Sequence, residues 1–119
     1  MRFTTLVAVL LATLTGPAPA AQEQAPNRRE FTIDARDHAF RPDRLEVSQD
    51  DLVKITLTSH DRPSSFAIDA YRIIKRAGGD QTIVFEFRAD QVGTFSFYCN
   101  LTSDDACKDM KGTLVVRAK

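Results

Sequence analysis

An excess of charge of one sign is absent from this chain: sixteen Lys and Arg balance sixteen Asp and Glu. They are mixed along the sequence without a basic stripe or an acidic tail, which argues against nucleic acid or a membrane surface as partner. Long hydrophobic stretches are missing too, since the apolar run Phe3 to Leu14 is too short to span a bilayer comfortably. There is no Gly-x-Ser-x-Gly, no His-Glu-x-x-His and no Gly-rich phosphate loop, so the motifs that announce hydrolases, zinc proteases and nucleotide enzymes are excluded. His60, Asp61, Ser64 and Ser65 lie together in the sequence, but nucleophile and base normally assemble from distant segments, and these four read as a polar loop. No enzyme is expected. No internal repeat or low-complexity tract appears. Cysteine and histidine are scarce, with two of each: Cys99, Cys107, His38 and His60.

What is present begins with an export signal. Met1-Arg2 gives a short positive start, an apolar run follows, and Gly16-Pro-Ala-Pro-Ala-Ala21 supplies the small residues of an Ala18-x-Ala20 cleavage site. Residues 1–21 therefore read as a signal peptide, and a periplasmic or secreted location is expected. Residues 22–29, Gln-Glu-Gln-Ala-Pro-Asn-Arg-Arg, carry no periodic pattern and read as a flexible tether. Residues 30–119 then form one domain, and the length leaves no room for a second. In an oxidising compartment the simplest reading of two cysteines eight residues apart is a Cys99–Cys107 disulfide.

The domain is patterned for strands. Glu30–Ala35, Arg44–Ser48, Val53–Thr58 and Ser65–Asp69 alternate apolar and polar residues with the period of two that a half-buried strand needs. Gln81–Arg88, Thr94–Cys99 and Thr113–Val116 complete a set of seven. Between them, Arg41–Asp43, Ser48–Asp51, Arg62–Ser65, Ala77–Asp80 and Asp90–Gly93 have turn compositions. Tyr71–Ala77 is too short for an independent helix and reads as a crossing loop with one turn at most. Phe31, Phe40, Phe66, Phe85, Phe87, Phe95 and Phe97 fall mostly on alternating positions and are expected in the core. The fold expected is an all-β Greek-key sandwich of about seven strands.

One loop carries the chemistry. Cys99-x3-Ser103-x3-Cys107-x2-Met110 joins the strand Gly93–Cys99 to the strand Gly112–Arg117, and its thiols and thioether suit a soft metal such as Cu(I). With Phe40-Arg-Pro-Asp-Arg-Leu-Glu-Val47, Asp51-Leu-Val-Lys-Ile-Thr-Leu57, Ser59-x-Asp61 before Ser65-Phe66, Gly93–Cys99 and Met110–Val116, nearly the whole mature chain resembles the cupredoxins. Within them it is most similar to the purple-copper (CuA) domain of cytochrome c oxidase subunit II and to small periplasmic cupredoxin-like proteins, because of the loop length.

The resemblance implies a ligand for each position, and the match is partial. Cys99 falls where the family has its first bridging thiolate, and Met110 where it has its weak thioether ligand. Ser103 replaces the second bridging cysteine, Cys107 the loop histidine and Ser64 the early histidine, while Leu101 stands where a backbone carbonyl completes one copper. A purple centre needs two bridging thiolates with an imidazole on each metal, and a blue centre needs two imidazoles and a thiolate, so neither is expected. Two readings stay open. One is a Cu(I) site built from Cys99, Cys107 and Met110, with His60 swung in from the end of its strand, for copper handling. The other is a copper-free domain in which Cys99 and Cys107 close the loop as a disulfide and the fold serves as a binding or accessory module. His38 is expected to cap or solvate a loop. Either reading suits a redox or copper-handling protein as partner.

Overall fold

The computed structural model describes residues 27–119. The proposed signal peptide and residues 22–26 of the proposed tether lie outside them. Nine strands form two sheets: β1 (Arg28–Arg36), β2 (Ala39–Arg41), β3 (Arg44–Ser48), β4 (Leu52–Ser59), β5 (Ser64–Ile68), β6 (Ile73–Ala77), β7 (Gln81–Arg88), β8 (Gly93–Tyr98) and β9 (Lys111–Arg117). One sheet has the order β2-β1-β4-β7 and the other β3-β9-β8-β5-β6. The pairs β1/β4 and β3/β9 are parallel and the rest antiparallel. The all-β sandwich expected from alternation is what the chain forms.

The alternation has a direct physical use. In β4, Val53, Ile55, Leu57 and Ser59 are fully buried while the residues between them are not, so one face fills the space between the sheets and the other meets solvent. Phe40, Phe66, Phe85 and Phe97 meet in that space. Phe66 stacks on Phe97 with centroids 4.7 Å apart, and Phe40 stands edge-on to both at 5.7 and 5.6 Å. Gly112 on β9 is required by this packing, because a β-carbon there would run into the ring of Phe97 and the carbonyl of Asp43.

Three details differ from the sequence reading. Arg28 and Arg29 are not tether: they pair with Leu52 and Val53, since β4 is long enough to template two more residues of β1. Residues 39–41 form a short strand, folded back through a two-residue turn in which Asp37 and His38 have φ of 52° and 62°, the conformation a tight hairpin needs. Tyr71–Ala77 is not a crossing loop. A 3-10 turn over Asp69–Tyr71 reverses the chain, and Ile73–Ala77 returns along β5 as an edge strand, with Ile68 opposite Ile73 and Ser64 opposite Ala77.

Candidate metal centre

The loop between β8 and β9 is the site to test. Met110 and Cys99 are joined by the backbone, Cys99 N–H donating to the Met110 carbonyl at 3.0 Å. Residues 105–109 coil into a 3-10 turn that starts at Asp104, whose side chain accepts from Ala106 N–H at 2.9 Å. That turn carries Cys107 inward, and Cys107 and Cys99 are bonded as a disulfide with Cα atoms 5.2 Å apart. Both are buried, 2% and 6% exposed, and Met110 shares their cluster. The structure thus brings together three of the four residues expected at the site: Cys99 and Cys107 through their disulfide, and Met110 through main-chain bonds to both.

His60 lines the same cavity as Ser64 and Met110, but its ring nitrogens are engaged by other residues. Ser59 ends β4 on its inward face, so the next side chain emerges on the outer one, beside the outward residues of β1. There the His60 ring bridges Asp34 Oδ1, at 2.9 Å from Nε2, and Arg36 Nη2, at 3.2 Å from Nδ1. A guanidinium only donates, so Nδ1 accepts and the ring proton sits on Nε2, donated to Asp34. Both nitrogens are engaged, and the parity of β4 is the sequence signal that indicates it. His38 is exposed at the tip of the β1–β2 turn. Among the described residues no three of His, Cys, Asp and Glu are grouped to hold a metal ion.

Ser64 occupies the inward face of β5, in step with Phe66 and Ile68, and is 2% exposed. Its hydroxyl has no hydrogen-bond partner. It lines a cavity of about 100 Å³ together with Ala35, Ser59, Ala106 and Met110. Ser103 lies exposed in the loop. A hydroxyl where an imidazole is needed, and two sulfurs bonded to each other, do not make the donor set of an electron-transfer copper centre.

Hydrogen bonds that the sequence did not indicate complete the surroundings. Ser65 N–H points at Cys99 Sγ, 3.4 Å away, and Leu101 N–H points at Cys107 Sγ, 3.1 Å away. The Ser65 hydroxyl accepts from Asn100 N–H at 2.7 Å and donates to Asn100 Oδ1 at 2.6 Å. These contacts stand where β5 and β8 would otherwise pair, and the two strands share one ladder position, Ala67 opposite Tyr98. Tyr98 O–H donates to Asp69 Oδ1 at 2.7 Å, and that bond, with some burial, raises the phenol above its ordinary pKa.

Replacing both cysteines by alanine is expected to cost about 2 to 3 kcal/mol, the loop-closure value for so short a ring. In a domain of this size that lowers the melting temperature by about 10 to 20 °C. Thermal melts of the non-reduced protein and the double variant check it; a shift of a degree or two would show that the main-chain bonds alone organise the loop.

Solved structures with the same arrangement are numerous in copper proteins. A heme-copper terminal oxidase dimer superposes with a TM-score of 0.69 at 18% identity, covering 80% of this chain and 67% of the other. Auracyanin A, a blue copper protein from Chloroflexus aurantiacus, gives 0.65 at 18% identity over 76% of this chain and all of its own. The metal-binding domain of the Cu(I)-exporting P-type ATPase of Streptococcus pneumoniae, solved with Cu(I), gives 0.61 at 17% identity over 76% of this chain and 86% of the other. At such identities the likeness concerns the fold. No curated protein sequence matches the chain significantly. The family model of the cupredoxin-like domain matches residues 4–116, nearly the whole sequence, and the chain belongs to that family.

Proposed function

We propose that this protein is an exported accessory module of the copper-protein superfamily, in which a disulfide has taken over the loop-organising role of the metal. The observation that carries the reading is the Cys99–Cys107 bond, which leaves no thiolate for Cu(II) and closes the loop covalently. Neither Ser64 nor Cys107 offers the imidazole that a Cu(II)/Cu(I) couple needs, so electron transfer and catalysis are not its work. Its role is to dock a redox or copper-handling protein, and the signal-like residues 1–21 support a periplasmic or secreted location.

A second reading rests on three buried sulfur residues, Cys99, Cys107 and Met110, held to one another by the disulfide and by main-chain bonds. When the pair is reduced, Cys99, Cys107 and Met110 form a soft donor set suited to Cu(I). A neighbour of this fold was solved with Cu(I), which supports metal handling without electron transfer. His60 joins such a site only by leaving Asp34 and Arg36.

Protein exported by its own host and purified without reductant is expected to show no free thiols, to retain no copper after native dialysis, and to give no intense visible band with Cu(II). Two free thiols that vanish on adding Cu(I) would sink the first reading and establish the second. An intense thiolate-to-copper band would sink both.

A further inference from the structure

We infer that the Cys99–Cys107 bond is a reducible pair that exchanges with a dithiol, in addition to closing the loop. The inference rests on the disulfide of the proposed module and concerns its regulation. Its basis is the pair of main-chain donors aimed at the sulfurs, Leu101 N–H to Cys107 Sγ at 3.1 Å and Ser65 N–H to Cys99 Sγ at 3.4 Å. A disulfide sulfur is a weak acceptor, whereas a thiolate is a charged one, and charge-assisted bonds are about twice as strong as neutral ones. Both N–H groups therefore gain when the bond is broken. The donors also come from separate parts of the fold, Ser65 from β5 and Leu101 from the ligand loop itself, so tertiary structure holds one against each sulfur.

A third donor is in reserve. The Ser65 oxygen lies 3.6 Å from Cys99 Sγ, but its single proton goes to Asn100 Oδ1 in the closed state. Rotation of that hydroxyl turns it onto a thiolate. Burial opposes these gains, because it disfavours the charged sulfur, and it also sets the order of events. Cys99 is the more exposed of the two.

A thiolate of the dithiol attacks Cys99 Sγ. The S–S bond breaks, its electron pair leaves on Cys107 Sγ, and that sulfur is received by Leu101 N–H. The second thiol of the reductant, deprotonated, then attacks the reductant's own sulfur in the mixed disulfide. Cys99 departs with its electron pair onto Ser65 N–H. The reductant ends as a disulfide, having given up two electrons and two protons, and the protein ends with two reduced cysteines. Reduction is thus the event that would release the sulfur set for Cu(I).

The test uses dithiothreitol as reductant on the folded, full-length exported protein, without denaturant or copper. Two thiols are expected to appear while the fold persists. In amide NMR spectra Leu101 and Ser65 are expected to move downfield and to exchange more slowly with solvent after reduction. Leu101→Pro, which deletes one donor, is expected to shift the equilibrium with dithiothreitol about tenfold toward the disulfide, a change near 1.4 kcal/mol. If that variant does not fold, the wild-type amide signals decide. No thiols short of unfolding, or amides of Leu101 and Ser65 that lose protection on reduction, would overturn the inference. The thiol count before reductant tests the accessory-module reading separately: zero before and zero after dithiothreitol sinks only the exchange.

Discussion

Replacing Ser64 and Cys107 together by histidine is expected to turn a colourless domain into one that gives an intense thiolate-to-copper band on adding Cu(II). Ser64→His puts an imidazole on the inward face of β5, where a hydroxyl now lies buried without a partner beside a cavity of about 100 Å³ that Met110 also lines. Cys107→His supplies a second imidazole and frees Cys99 from its disulfide, leaving a thiolate that keeps the Ser65 N–H. Two imidazoles, one thiolate and a thioether are the donor set of a blue copper site. Visible absorption and electron paramagnetic resonance of the Cu(II)-loaded variants check the outcome. Ser64→His alone keeps the disulfide and should stay colourless, and Cys107→His alone offers one imidazole of the two. If the double variant folds and binds Cu(II) without the band, Ser64 and Cys107 do not stand at the positions of the family's histidines.

Phe66→Ala is expected to lower stability by about 3 to 5 kcal/mol, the usual cost of deleting a buried ring. A domain of this size holds roughly 5 to 15 kcal/mol, so the variant should be near unfolding at physiological temperature. Phe66 is fully buried, stacked on Phe97 and in contact with Phe40 and Phe85. It also directly follows Ser64 and Ser65, on a strand that shares one ladder position with β8. Packing therefore joins the β6 ladder and the Ser65–Asn100 bonds in holding β5 at the site. Urea unfolding of the two proteins measures the difference; a cost below about 1 kcal/mol would mean that the neighbouring rings close over the gap. Since Ser65 N–H loses its anchor with Phe66, thiols should also become easier to generate in the variant for reasons of unfolding, which a circular dichroism control separates from exchange.

Strands with a solvent face were legible because burial imposes a period of two on their residues. Seven segments showed it. Ala39–Arg41 did not, being three residues long, and Ile73–Ala77 did not, because an edge strand can leave Ile74 59% exposed and still be held by its backbone. The site was legible in part. Cys99, Cys107 and Met110 share one short loop, and their meeting follows from its length. The sequence left open whether the His60 ring swings toward that loop, and in the structure Asp34 and Arg36 hold it on the outer face that the parity of β4 indicates. Ser65 was legible only as part of a polar loop and Leu101 only as a carbonyl position; their N–H donation to sulfur left no mark, because a main-chain N–H is common to every residue except proline and its direction is not written in a side chain.

By itself, then, the sequence determined an all-β sandwich, since hydrophobic alternation is a local property of the chain, and its motifs carried the resemblance to the cupredoxin-like family to which it belongs. Tertiary structure alone decided that the hydroxyl of Ser64 is buried without a partner and that His60 is committed to Asp34 and Arg36. Those outcomes depend on where distant strands bring their backbone and side chains in space, and pairing across a sandwich is fixed by packing and register that no local pattern contains.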